Sequence, residues 1–462
     1  MSVIDKFYAL SPRPIQNLMC SIYGYLENKK RFNGHFYDSL NLLLESQFFE
    51  SDKIDLLKKS KLSSALILAK GSGLYPSLRE YNDADIYENP FTILSKMPVL
   101  SKNDLRELDL ASLPNTPHTY LQTSGTTGKS LSVPRDLKMT AFQWAIWFRH
   151  RSRFGIKQGD LSLNFTGKPI APLNSGSKKV WRYNYFQKQF LLGMQSINRD
   201  TIAEIVQFIN SKRFVFFSGY PSIIYQLASL ALEQGLELKS SSKPKVIFFG
   251  AENVLQYQKD TIQLWLGNDT VLTDQYGLTE GNCNFSKCEH GNYHEDFEFS
   301  HIELHEPVVN EDGSRTGFLI GTSLENHYFP LIKYHTGDMA TFAPEEYQCP
   351  CGRKSRVVFD VQGRVDDYAE THDGRKIMRF DYLFKDTFEV LEAQVIQEKI
   401  GEVIVCAVPS QKFEQLTFEQ KVSNAVDKYI DTSMKVEFQY VDHIPKGKNG
   451  KFKAVLNRRN DS

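Results

Sequence analysis

Between Arg213 and Asn253 the chain reads strand, helix, strand. RFVFFSGY (Arg213–Tyr220) is a short buried-strand pattern. PSIIYQLASLALEQG after it is helical, with Gly235 as its stop, and KVIFFGAEN (Lys245–Asn253) is a second apolar strand ending in Gly250. Two such strands joined through a helix imply a parallel sheet of the α/β class. Ligands of such sheets gather at the carboxyl ends of the strands, where Ser218-Gly219-Tyr220 and Gly250-Ala251-Glu252 are expected.

The rest of the chain is arranged around this core. With 462 residues it is too long for one small core. Residues 1 to 90 read as a helical lead-in, rich in recurring Leu and Phe. Asn89-Pro90 opens a connector, and Ser101 is placed to cap a helix with Asp104 in its first turn. After Asp366 the pattern changes to a compact α+β tail: KIGEVIVCAVP a strand, FEQKVSNAVDKYI a helix, MKVEFQYVDHI a strand. The expected organisation is a large domain over 1–365 and a small one over 366–462. The 55 basic and 55 acidic residues cancel, so net charge argues for neither nucleic acid nor a membrane surface as partner. No apolar run approaches the length a membrane span needs, and a cytoplasmic protein is expected. Six cysteines are too few for a disulfide scaffold.

One stretch points to chemistry. Thr123-Ser124-Gly125-Thr126-Thr127-Gly128-Lys129 places small hydroxyl and glycine residues ahead of a lysine, which leaves backbone N–H groups free to meet phosphate oxygens. Its spacing differs from GxxxxGK[ST], so transfer of a terminal phosphoryl group is not implied.

TSGTTGK resembles the phosphate loop of the acyl-adenylate-forming superfamily, and four further motifs fit that resemblance. In Asp274-Gln275-Tyr276-Gly277-Leu278-Thr279-Glu280, the family pattern implies that Tyr276 lies against adenine, Thr279 contacts the α-phosphate and Glu280 ligates magnesium. In Tyr334-His335-Thr336-Gly337-Asp338, Asp338 is implied as the acceptor for ribose hydroxyls. Gly363-Arg364-Val365-Asp366-Asp367 resembles the hinge, with Arg364 reaching the nucleotide and Asp366 absorbing the dihedral change. Ile444-Pro445-Lys446-Gly447-Lys448-Asn449-Gly450-Lys451 resembles the loop bearing the adenylation lysine, which assigns that role to Lys451. Lys129, with Ser124, Thr126 and Thr127, is then implied to hold the β- and γ-phosphates. Gly250-Ala251-Glu252 is similar to the adenine-side segment of the phenylacetate-CoA-ligase branch, and the C-terminal stretch is similar to its capsule-biosynthesis and coenzyme-F390-synthetase relatives.

That branch also suggests a structural zinc ion. Cys288 and His294 in CEHGNYHED, with Cys349 and Cys351 of CPCG, make a closed set of three thiolates and an imidazole; His290 and Cys283 are spare candidates. Cys406 and Cys20 are expected to be ordinary strand and helix residues. Arg149, Arg151 and Arg153 are expected on a solvent-exposed basic face, the alternative being contact with an acidic substrate or coenzyme A. Trp144, Trp147 and Trp181 are expected in the core rather than in an acyl pocket.

The resemblance implies a ligase that uses Mg-ATP to convert a small-molecule carboxylic acid into acyl-AMP and pyrophosphate. Coenzyme A is the first expectation for the acyl acceptor, with an amine or a carrier-protein thiol as alternatives, and a homodimer is a further expectation. The rival is a non-catalytic relative that only binds nucleotide.

Overall fold

A computed structural model describes residues 3–107, 113, 118–122, 132–168, 170–171, 179–364, 368–373, 376–377, 380–384, 390–411, 413–445 and 453–459. It is a mixed α/β structure that divides into two compact units, one made of Met1–Gly24, Gly159–Asp274 and Gln362–Ser462, the other of Tyr25–Gln158 and Gln275–Val361.

The first unit holds the parallel sheet. Val246–Phe249, Phe216–Gly219, Ser162–Thr166 and Gln189–Gly193 lie side by side in that order, all parallel, and Trp181–Asn184 closes the edge antiparallel. Strand Val271–Gly277 adds its first residues beside Val246–Phe249. The helices Ile202–Asn210, Pro221–Glu233 and Gln256–Leu266 connect them. Pro221 starts its helix at a position where no N–H is needed, and Gly235 just past the end adopts φ 65°, as the pattern predicted. Phe165, Phe217, Ile247, Leu227 and Ile262 fill the interior. Trp181 belongs to the same core, stacked on Phe208 at 3.9 Å.

In the same unit the C-terminal tail forms a four-stranded sheet ordered Lys435–Tyr440, Glu402–Pro409, Val390–Lys399, Val455–Asn457, with helix Gln415–Tyr429. Cys406 is a buried residue of its second strand. Tyr225 on the helix Pro221–Glu233 donates a buried 3.0 Å hydrogen bond to the carbonyl of Val390, so the tail shares the unit's core.

The second unit is helical at its beginning and antiparallel after Gln275. Its strands run in the order Ser300–Val309, Arg315–Ser323, Tyr334–Phe342, Val357–Arg364, Tyr293–Glu295, Asn284–Lys287 and the last residues of Val271–Gly277. The helices Gly34–Ser46 and Leu137–Ser152 pack through Phe36, Leu43, Phe142, Ala145 and Ile146. Ser101 and Asp104 form the expected reciprocal cap, Asp104 N to Ser101 Oγ at 3.3 Å and Ser101 N to Asp104 Oδ2 at 2.6 Å. No described helix is long and apolar enough to cross a membrane.

Candidate functional site

The strands that enter and leave the glycine-rich stretch, His118–Gln122 and Ser132–Asp136, pair antiparallel, with Gln122 opposite Ser132 as the last pair. Ser124, Thr126, Thr127 and Lys129 lie outside the described residues, as do Asp366 and Lys451. Arg364 ends the strand Val357–Arg364.

The second motif sits where a strand becomes a turn. Tyr276 and Gly277 end Val271–Gly277, and Thr279 and Glu280 follow it, Glu280 buried. The Tyr276 phenol donates a 2.6 Å hydrogen bond to Oδ2 of Asp338, itself buried on the strand Tyr334–Phe342. Burial, and then the charge of Asp338, push the Tyr276 phenol well above its ordinary value, so it remains a donor. The ring stacks on Phe285 at 5.5 Å. Asp338 N in turn donates to Thr336 Oγ1 at 3.0 Å, so the TGD motif braces its own carboxylate through the backbone.

Arg135, a residue the motif reading left without a role, ties these pieces to the hairpin. Its Nη2 donates to the carbonyl of Thr279 at 2.6 Å and its Nη1 to Gln143 Oε1 at 2.5 Å. Burial lowers its pKa to about 10, while Glu280 and Asp136 oppose that fall. Gly281 adopts φ 69° in a space where a Cβ would strike Met139 and press on Arg135. The only sequence signal for Arg135 is its place in the strand leaving the glycine-rich stretch. Its partner is a backbone carbonyl 144 residues away.

Gly250, Ala251 and Glu252 follow the parallel strand Val246–Phe249 at its carboxyl end. Gly250 N donates to Gly219 O at 3.1 Å, and Ala251 is held at φ 67°, a left-handed conformation unusual for a residue with a Cβ. Oε2 of Glu252 accepts from Ser222 N at 3.2 Å, in the first turn of the helix Pro221–Glu233, where a carboxylate is favoured by the helix dipole. Asn164 Nδ2 donates to Ser218 Oγ at 3.0 Å on the neighbouring strand ends.

Cys288, His294, Cys349 and Cys351 come together, with all four ligand atoms within 4.8 Å of one another. Two turns present them. In one, Gly291 N donates to Cys288 O at 3.0 Å; in the other, Gly352 N donates to Cys349 O at 3.1 Å, and both glycines have positive φ. Cys288 Sγ and Cys349 Sγ lie 3.8 Å apart, too far for a disulfide and close to the edge of a tetrahedron with metal–sulfur bonds of about 2.3 Å. Cys351 Sγ is 3.2 Å from His294 Nε2, and Ser355 Oγ is 3.4 Å from His294 Nδ1. This donor set and spacing fit a structural zinc ion. The spares separate from it: Cys283 belongs to the core around Phe285, and His290 is exposed.

The basic helix face is not solvent-exposed. Arg149 is 2% exposed and forms ion pairs with Asp296 at 2.5 Å and Glu298 at 2.7 Å. Arg153 donates to the carbonyls of Ser286 at 3.2 Å and Lys287 at 3.4 Å, and Arg151 lies over the Phe148 ring at 5.2 Å. The acids that compensate Arg149 sit more than 140 residues away in sequence. Trp144 and Trp147 meet edge-on at 4.6 Å against the helical core.

The comparisons with known proteins agree with this architecture. The CapK C-terminal domain family matches residues 370–458. Protein CapK of Staphylococcus aureus is 22% identical over 470 aligned residues, covering 98% of this chain and 99% of its own. 2-Hydroxyisobutyryl-CoA ligase in the postadenylation state in complex with R3-HIB-AMP superposes with a TM-score of 0.66 at 18% identity, over 90% of this chain and 91% of that one. The same ligase with 2-HIB-AMP and CoA in the thioesterification state gives 0.52 at 19% identity, over 89% and 91%. The chain therefore has the fold of the adenylate-forming ligases, and its segment 370–458 is similar to the CapK C-terminal domain family.

Proposed function

We propose that the protein is an AMP-forming ligase. A carboxylate oxygen of a small acid attacks the α-phosphorus of ATP, the bond to the β-phosphate oxygen breaks, and acyl-AMP and pyrophosphate form. A nucleophile, in the first reading the thiol of coenzyme A, then attacks the acyl carbon, loses its proton and expels AMP. The observation that carries this reading is the Tyr276–Asp338 pair, which joins two of the five motifs through one hydrogen bond, with Glu280 three residues after Gly277 and within electrostatic reach of Arg135.

In this reading Asp338 accepts the ribose hydroxyls, a task for an ionised carboxylate whose orientation Tyr276 fixes. Tyr276 offers its ring, and Gly250-Ala251-Glu252 its backbone, to adenine. Thr279 meets the α-phosphate and Glu280 the magnesium ion, while Ser124, Thr126, Thr127 and Lys129 hold the β- and γ-phosphates. Arg364 reaches the nucleotide beside a hinge at Asp366, and Lys451, on the tail that follows it, stabilises the charge growing on the phosphoryl oxygens. Zinc on Cys288, His294, Cys349 and Cys351 cross-links two turns and takes no part in the reaction.

The test is acid-dependent ATP–pyrophosphate exchange over a panel of aryl, fatty, hydroxy and sugar acids. Exchange with at least one acid is expected. ATP binding with no exchange for any acid would leave the non-catalytic reading in its place. Product analysis with coenzyme A and with amines then separates the acceptors.

A further inference from the structure

Helix α1 (Val3–Leu10) and helix α2 (Arg13–Arg31), the latter as far as Gly24, belong to the first unit and carry their apolar residues on the outside. The residues of α2 that face the body are polar or small. Gln16 Oε1 accepts from Arg182 Nε at 2.5 Å, Asn17 Oδ1 from Tyr183 N at 3.0 Å and Ser21 Oγ from Tyr185 N at 3.1 Å, while a Cβ on Gly24 would collide with Asn184. The large apolar side chains point away. Ile4, Phe7, Leu10, Ile15, Leu18 and Ile22 are 39–88% exposed, and the three on α2 follow the spacing of a single helical stripe. A surface helix ordinarily buries such a stripe. The face is extended by the turn after Trp181–Asn184, where Tyr185 is 69% and Phe186 50% exposed, and which meets α2 at Ser21.

The same region is basic. Residues 161–199 contain six Lys or Arg and no Asp or Glu, in a chain whose charges cancel as a whole, and of these Arg199 is paired with Glu233. This segment carries α1 and α2: Tyr8 donates to the carbonyl of Ile170 at 2.7 Å, in addition to the α2 contacts above. Lys168, Lys179 and Lys188 on it are exposed, as is Lys6 on α1.

We propose that this face binds the surface of an anionic lipid bilayer. Its apolar side chains enter the boundary between headgroups and acyl chains, and the surrounding lysines meet lipid phosphates. A second copy of the chain is the poorer occupant, because a symmetric contact sets one basic face against another. The polar contacts under α2 leave the helix attached to the body while its outer face is in lipid. Whole-chain neutrality conceals this local excess of charge.

Full-length protein is floated with vesicles of phosphatidylcholine and phosphatidylglycerol, and with phosphatidylcholine alone. Flotation with the anionic vesicles, weakened by salt, is expected. The double variant Phe7→Asp/Leu18→Asp reduces the floated fraction about tenfold or more, and Lys168→Glu/Lys179→Glu/Lys188→Glu reduces it with the apolar face intact. Leu416→Asp, at an exposed leucine of the C-terminal helix Gln415–Tyr429, leaves it unchanged. Equal thermal midpoints establish that the variants are folded. The proposal fails if wild-type protein stays at the bottom of the gradient, or if both face variants float like wild type. It fails equally if sedimentation shows a dimer that the Phe7/Leu18 variant converts to monomer, since the face then belongs to a second copy.

Discussion

The Tyr276 hydroxyl and the Asp338 carboxylate, 62 residues apart in sequence, meet at 2.6 Å in the second unit. Removing the carboxylate deletes the proposed ribose acceptor, whereas removing the hydroxyl only frees the carboxylate to rotate. Asp338→Ala is expected to raise the KM for ATP about 10–100-fold, the worth of one or two hydrogen bonds to a charged group. Tyr276→Phe is expected to raise it less, with the KM for the acid little changed in both. Exchange kinetics with ATP and acid varied separately check this, and an effect confined to the acid would contradict the assignment.

The protein as purified is expected to hold one zinc per chain, measured by elemental analysis. Cys349→Ser lowers the metal content and the thermal midpoint together. Ser355→Ala, which removes the group beside His294 Nδ1, weakens zinc by about 10–100-fold while leaving all four ligands in place. Full metal content in the Cys349 variant would show that the four residues do not act as one site.

Arg149 is a buried cation held by Asp296 and Glu298, and those acids are further bonded by Ser286 at 2.6 Å and Ser46 at 2.5 Å. Arg149→Met leaves two buried carboxylates without their counter-ion and is expected to cost about 3–5 kcal/mol in denaturant unfolding. A loss below about 1 kcal/mol would mean that water or a protonated acid replaces the guanidinium.

Asp136 caps the helix Leu137–Ser152 through Met139 N at 2.5 Å and also faces His327, whose Nδ1 is 3.5 Å from Oδ2. The hydrogen bond from Asp136 raises His327 above its ordinary 6.5, against burial. Burial works against the Asp136 carboxylate too, but His327 and Met139 bring it below its ordinary 3.8. The raised histidine contributes stability that is complete below 6.5 and disappears as pH rises through its folded value. The depressed aspartate contributes stability present above 3.8 and lost as pH falls through its folded value. The thermal midpoint of wild type should therefore exceed that of His327→Gln by more at about pH 5.5 than at about pH 8.5. An equal gap at both would exclude the ion pair.

Lys451→Ala is expected to lower adenylation by about 10²–10³-fold, the loss of one preorganised charge in the transition state. Reaction of the nucleophile with preformed acyl-AMP should be much less affected. Equal losses in the two half-reactions would contradict the role given to Lys451.

Local sequence decided a good deal here. Alternation of apolar runs and helix formers located the strands Phe216–Gly219 and Val246–Phe249 with the helix between them, because periodicity and terminal signals such as Pro221 and Gly235 act within a few residues. The grouping of Cys288, His294, Cys349 and Cys351 was legible as well, because CPCG and CEHGNYHED each hold two of these side chains close in sequence, and the fold joined the two. What the tertiary structure alone decided are pairings across long stretches of chain. A run of arginines reads as a solvated face until Asp296 and Glu298 are placed against Arg149, and Arg135 has no signature because its partner is the Thr279 carbonyl. The outward apolar face of α1 and α2 was invisible for the same reason. Helical periodicity shows that one side of a helix is apolar, but which side is buried depends on what the rest of the chain offers it, and here Arg182, Tyr183 and Tyr185 offer polar groups.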